Sequence, residues 1–163
     1  MKIVSNTGPI IGLAKIELLF LLNEVASKVL IPPMVYRELL GKVGMESEQI
    51  DKALKEFLFV TDLNPLDPAT EMAISALDEG ERQAIGLAST MVGDVLLLVD
   101  DRAGREVAEK LNIPTTGLIG FLLLAKEKGL LESIGPLIDK LRDQGYWLSD
   151  EVVEITKRLA GEE

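Results

Sequence analysis

Five consecutive apolar residues, Val95 to Val99, run directly into two acids, Asp100 and Asp101. A strand with one wet face alternates apolar and polar side chains, so an unbroken apolar run reads as a strand buried on both faces. Such strands belong to parallel sheets, because the crossover between parallel strands lays a helix over a face. The chain must therefore supply further strands and the helices that cover them.

It does so in order. Ile3-Val4 is ended by Ser5-Asn6-Thr7-Gly8-Pro9, where Thr7 can cap a helix and Pro9 suits its first turn. Val29-Leu30-Ile31 reaches Pro32-Pro33, after which Val35, Tyr36, Leu39 and Leu40 recur at helical spacing up to Gly41. Phe57 to Val60 reads as a third strand, Asp78 to Val92 as a helix, Arg102 to Leu111 as another, and Pro114 to Thr116 as a last strand before a helix over Leu118 to Lys128. The expected fold is α/β, a parallel sheet sandwiched between helices. After Gly129 the alternation stops. Helical stretches over Ile134 to Arg142 and Asp150 to Leu159, joined by Gly145-Tyr146-Trp147, form a C-terminal helical appendage, so the expected division is 1–130 and 131–163.

The 163 residues include no His and no Cys. That excludes an imidazole base, a thiol nucleophile, disulfides and ordinary zinc sites, and leaves carboxylates, hydroxyls, Lys and hard cations held by oxygen. The longest apolar stretch, Pro9 to Leu22, is broken by Lys15 and Glu17 and is shorter than the roughly 20 residues of a membrane span. Ser5-Asn6-Thr7 interrupts any signal-peptide core. A soluble, cytoplasmic protein with no membrane contact is expected. The run Leu18-Leu19-Phe20-Leu21-Leu22 is apolar on too many sides for a helix lying on one sheet face, which points to a homo-oligomer or to burial under the tail.

Ligands of open parallel sheets bind outside the carboxyl ends of the strands. Asn6 ends the first strand and Asp100-Asp101 the Val95 strand, while Glu38 lies about two turns into the helix after the second strand. Glu81 stands in a first helical turn, followed by Ala84, Ile85 and Ala88 at spacings that put its carboxylate on the buried stripe. Taken singly these acids have ordinary readings: Glu38 as a solvated partner of Lys42, Asp100-Asp101 as helix caps, Glu81 as a charge favoured near a helix N-terminus. Taken together they repel, by about 3 kcal/mol per pair at about 5 Å and an effective dielectric near 20. A divalent cation relieves that repulsion and offers phosphoryl chemistry.

Ile3-Val4-Ser5-Asn6-Thr7-Gly8-Pro9-Ile10, Ile31 to Leu39, Gly80-Glu81-Arg82-Gln83-Ala84-Ile85 and Leu97 to Arg105 together resemble the PIN-domain metal-dependent nucleases. The likeness is closest to the small prokaryotic toxins of the VapC type. It implies hydrolysis of RNA phosphodiesters at an acidic pocket holding Mg²⁺ or Mn²⁺, and an antitoxin partner that blocks the pocket. Glu38, Glu81 and Asp101 match the family's acids, with Asp100 as a neighbour that can substitute and Asn6 as a further ligand. Position 6 usually holds Asp in that family, and an amide brings a carbonyl oxygen but no charge. A second reading follows, a catalytically weak or silent binding or regulatory protein on the same fold. A phosphoacceptor receiver domain is excluded by the shortness of chain after Asp101, and Gly117-Leu118-Ile119-Gly120 lacks the pattern of a phosphate loop. Thr115 and Thr116 fall where they can line the pocket.

Seventeen Lys and Arg stand against 27 Asp and Glu, a net charge of −10, so a broad basic surface is absent. Arg37, Arg82, Arg102 and Arg105 are the cations nearest the acids by sequence and the expected RNA contacts. Affinity for single-stranded RNA should therefore fall only gently with salt, since the slope scales with the phosphates neutralised. A titration as steep as that of a protein making about eight or more phosphate contacts would contradict this.

Overall fold

A computed structural model describes residues 1–41 and 44–163. Five strands, β1 (Lys2–Ser5), β2 (Lys28–Ile31), β3 (Leu58–Val60), β4 (Val95–Leu98) and β5 (Thr115–Thr116), form one parallel sheet in the order β3-β2-β1-β4-β5. The chain runs outward from β1 to β3, then returns to the other side of β1 for β4 and β5. The order thus reverses between β1 and β4, the crevice where open parallel sheets bind ligands.

Ten helices are described, α1 (Thr7–Lys15), α2 (Leu21–Val25), α3 (Pro33–Leu40), α4 (Met45–Glu56), α5 (Pro68–Ile74), α6 (Glu79–Ser89), α7 (Arg102–Lys110), α8 (Leu118–Glu127), α9 (Gly135–Asp143) and α10 (Asp150–Ala160). Strand alternation divides the core in two. Ile3, Val29, Ile31, Leu58 and Leu98 face α1, α4 and α8, while Val4, Leu30, Leu97 and Val99 face α6 and α7. Helices α4 and α5 had no clear counterpart in the apolar periodicity, for α4 is Met-Glu-Ser-Glu-Gln at its start and, among the residues whose burial is described, buries Ile50 and Ala53 fully. Among the described residues no helix is long and apolar enough to cross a membrane.

The leucine-rich run is not one helix. Bonds from Glu17 N to the Ala14 carbonyl and from Leu18 N to the Leu13 carbonyl close α1, with Glu17 at φ 59°, and the chain turns before α2. Leu19, Leu21 and Leu22 enter the core and Phe20 stays exposed. Burial thus absorbs most of the apolar excess that suggested a partner.

The segment after Gly129 shares the larger core. Ile134, Ile138, Leu141 and Val153 are buried in the cluster that holds Ile3 and Phe121. Near the C-terminus, the Glu162 carboxylate accepts bonds from Ile134 N and Gly135 N at the start of α9 and pairs with Lys126 Nζ of α8 at 2.7 Å. Ile138→Ala should therefore lower the stability of the whole chain by about 2–5 kcal/mol, the usual cost of such a buried deletion, within one denaturant transition. An early separate transition that leaves the main one unmoved would instead mark the tail as an independent unit.

Candidate active site

Parallel pairing carries the ends of β1 and β4 to the same level, and the bond from Asn6 N to the Leu98 carbonyl (2.9 Å) extends it by one residue. Asn6 then begins α1 and Asp101 begins α7, and neither side chain caps its helix. Both are thereby left for other partners. Thr7 Oγ1, next to Asn6, is buried with no hydrogen-bond partner.

Helix α6 brings Glu81 to this edge. Asp78 caps it by accepting a bond from Glu81 N (2.9 Å), which fixes the first turn and directs Glu81 inward. Glu81 is only 6% exposed, and its carboxyl lies over Gly104 of α7, where an added Cβ would stand 3.7 Å from Glu81 Cδ and 2.9 Å from Val99 Cγ1. The bare glycine lets α7 lie this close to Val99 at the end of β4. Burial, a hydrogen bond shared with the Asp101 carboxyl and the charges of Asp78 and Asp101 push the Glu81 carboxyl up to about 7. A carboxyl that is buried and faced by other acids holds its proton more tightly.

Gly80 forms a second meeting point. An added Cβ there would lie 2.6 Å from Glu38 Oε1, 3.3 Å from Asn6 Oδ1 and 3.6 Å from Asp78 Oδ1. The bare Cα of Gly80 thus lies beneath three side-chain oxygens from α3, the end of β1 and the cap of α6. Helix α3 is held at this distance by the bond from Met34 N to Gln83 Oε1 (2.8 Å). Lys42, the partner considered for Glu38, lies outside the described residues.

Asp100 stands apart from this set. Alternation along β4 turns it to the face of Leu98, where its Oδ1 accepts from Leu118 N (2.8 Å) at the start of α8 and its Oδ2 from the Tyr146 hydroxyl. Burial first, then the Asp100 charge, push the Tyr146 phenol upward, so it remains a donor. Arg105 also turns inward and donates Nη1 to the carbonyls of Val99 (3.1 Å) and Asp100. Arg102 reaches solvent and pairs with Glu106, Arg37 is exposed, and half-buried Arg82 lines a cavity of about 420 Å³ with Leu63, Leu66 and Gln83. Thr115 Oγ1 bonds the Leu97 carbonyl and Thr116 packs over Gly120, both at the strand end.

The structure therefore brings together Asn6 with Glu38, and Glu81 with Asp101, on adjoining residues of α6. Among the described residues no three acids are close enough to hold an ion by carboxylates alone. The set nonetheless suits a hard cation. Mg²⁺ takes one or two carboxylates and completes its shell with water and substrate oxygens, and the amide oxygen of Asn6 is a neutral ligand of the same kind. Asp78, Gly80 and Tyr146 were not singled out from sequence. Asp78-Glu79-Gly80-Glu81 does carry the spacing of a capping box, and a glycine in a first helical turn is costly enough to suggest a close approach. For Tyr146, 46 residues from Asp100, no local signal exists.

The raised Glu81 carboxyl fixes a pH dependence for the metal-free protein. Folded, the group titrates near 7; unfolded, near its ordinary 4.5. The native state therefore binds more protons between these values, and its stability should fall as pH rises from about 4.5 to 7, by at most about 1.4 kcal/mol per pH unit. Thermal melts in EDTA across that window should show the decline, and Glu81→Gln should flatten it. A parent curve as flat as the variant's would show that Glu81 titrates normally.

Comparison with known proteins agrees with this arrangement. No curated protein and no solved structure matches the chain. A family model described as a PIN domain matches residues 2–162, nearly the full length, and takes in both the sheet and the C-terminal helices. A parallel α/β sheet with acids gathered where its strand order reverses is thus that of a PIN-domain protein, and the chain belongs to this family.

Proposed function

We propose that this protein is a divalent-metal-dependent ribonuclease, with Mg²⁺ or Mn²⁺ held at the edge formed by Asn6, Glu38, Glu81 and Asp101, one or two of the carboxylates binding it directly and the rest through water. The observation that carries the proposal is the Gly80 cradle, where Glu38 Oε1 and Asn6 Oδ1 meet one residue from the buried Glu81 carboxyl. A buried carboxyl beside other acids lowers stability, and such an arrangement is kept where it does chemistry. Membership of a nuclease superfamily supports the reaction class.

When bound, the ion supplies positive charge against the phosphoryl oxygens and makes water a stronger acid. The side chains provide the rest. Asn6 and Glu38 orient from one side of Gly80, Glu81 and Asp101 from the other. Asp101 is exposed where Glu81 is not, so Asp101 is the carboxylate that takes a proton from the attacking water. That water adds to phosphorus, and the bond to the departing ribose oxygen breaks as that oxygen takes a proton from solvent. Arg37, Arg82 and Arg102 offer charge to flanking phosphates, while Arg105 acts on the backbone beneath. Asp100, engaged at both oxygens, supports the ligand set without joining it.

The finer reading is that the protein is a cytoplasmic toxin of a toxin–antitoxin pair, blocked at this pocket by its antitoxin and assembling as a homo-oligomer. It is supported by the likeness of the motifs to VapC-type toxins, and light scattering tests the oligomer. The amide at position 6 favours one competing reading, a silent module that keeps the fold for binding.

Asn6→Asp separates the two. For a nuclease, the added charge should tighten Mn²⁺ binding and raise cleavage of labelled single-stranded RNA, whereas Asp101→Asn should abolish cleavage. Without metal, the new carboxylate near Glu38 should lower stability, by up to about 3 kcal/mol at an effective dielectric near 20, and Mn²⁺ should restore it by mass action. An Asn6→Asp protein equally stable with and without Mn²⁺, and as inactive as the parent, would leave the silent module standing.

A further inference from the structure

The C-terminal segment reaches the active-site edge through one side chain. Helix α9 ends with bonds from Gly145 N to the Arg142 carbonyl and from Tyr146 N to the Leu141 carbonyl, with Gly145 at φ 88°. This left-handed stop reverses the chain and returns Tyr146 toward the sheet. Its ring packs against α1 at Gly12, where a Cβ would stand 3.5 Å from Tyr146 Cε2 and 2.4 Å from Leu118 Cδ2, so the glycine there makes room for Leu118 beside the ring. Its hydroxyl donates to Asp100 Oδ2.

Asp100 is one residue from Asp101, and its environment is full. Leu118 N occupies Oδ1, Tyr146 occupies Oδ2, and Arg105 holds the peptide carbonyl. An added Cβ on Gly8 would lie 3.1 Å from Oδ2, and one on Gly117 would lie 3.0 Å from Oδ1, so the carboxylate is wedged between the starts of α1 and α8. The turn from β4 to α7 is pinned by these contacts, and Asp101 is the next residue along it.

We propose that Tyr146 is a positioning residue for the nuclease site: by holding the Asp100 carboxylate on the α1–α8 face, it fixes the turn that presents Asp101 to Glu81. The proposal rests on the metal-dependent reading above. It gives the C-terminal helices a part in the site: they carry the hydroxyl that holds Asp100 on the face to which strand alternation turns it, leaving Asp101 for the cation. Partners of metal-ligating groups commonly matter to affinity by about ten- to a hundredfold.

The test is a double-mutant cycle read by Mn²⁺ affinity, with free Mn²⁺ measured by electron paramagnetic resonance well below every variant's melting temperature. Tyr146→Phe removes the hydroxyl alone and Asp100→Ala removes its acceptor. Val153→Ala, a buried change in the same tail, loosens α10 without touching Asp100. Tyr146→Phe should weaken Mn²⁺ binding by about tenfold, at the lower end of that range. Asp100→Ala should weaken it at least as much, and the double variant no more than Asp100→Ala. Val153→Ala should lower the melting temperature and leave the affinity unchanged.

A Tyr146→Phe protein that binds Mn²⁺ as the parent does would overturn the proposal, and so would losses that multiply in the double variant. A parent that binds no Mn²⁺ would overturn the metal-dependent reading itself, and this role with it. Should Tyr146→Phe not fold, Asp100→Ala measured against Val153→Ala decides instead: affinity equal to the parent's removes the turn from any part in the site.

Discussion

The parallel pairing of β1 with β4, carried past Ser5 and Leu98 by the bond from Asn6 N, sets what can happen at the carboxyl edge of this sheet. It places the two strand ends side by side at the point where strand order reverses. Each strand then hands the chain to a helix, so the edge gathers helix starts from α1, α7 and α8 around one crevice. Helix starts favour negative charge, and the chain puts Asp100 and Asp101 there. The neighbouring starts also need tight contacts. Gly8, Gly104 and Gly117 each stand where a side chain would press on an acid or on the strand beneath it.

Charge repulsion is managed by dividing the acids between faces. Alternation sends Asp100 to the Leu98 side, where two hydrogen bonds neutralise its lone pairs, while Asp101 opens α7 on the side of Glu81. Burial and the neighbouring acids favour the neutral form of Glu81, which lessens its repulsion with Asp101, and Asn6 meets Glu38 as an amide with no charge to add. An Asp at position 6 would make the cluster more dependent on a cation. The amide makes the metal-free protein easier to hold folded at the cost of a weaker claim on the ion. The sign of that trade follows from Coulomb's law alone, at about 3 kcal/mol per close pair.

Much of this was readable from residues in order. The unbroken run Val95 to Val99 required a parallel sheet, and the helical spacing of Ala84, Ile85 and Ala88 after Glu81 required that carboxylate to be buried, as it is. The two faces of Asp100 and Asp101 were less legible: alternation separates neighbours, but which face holds the site depends on where α6 packs. Long-range partners left no mark. Tyr146 reaches Asp100 because a glycine stop ends α9 and returns the chain toward the sheet, and that stop has no meaning for the site until the helices are placed. Helix α4 was missed for a different reason: its polar start shows little periodicity, and its stability comes from what Ile50 and Ala53 bury against α1.

The central claim is that the amide of Asn6 and three carboxylates from four separate segments form one cation site from which Asp100 is excluded. Anomalous diffraction from a crystal soaked in Mn²⁺ tests it most directly. The account predicts a manganese peak at this edge, within ligand distance of Asn6 Oδ1 and of one or two carboxylates among Glu38, Glu81 and Asp101, with Asp100 still bonded to Leu118 N and Tyr146. A fully occupied peak on Asp100, or no peak at this edge in an otherwise well-ordered soaked crystal, would contradict it.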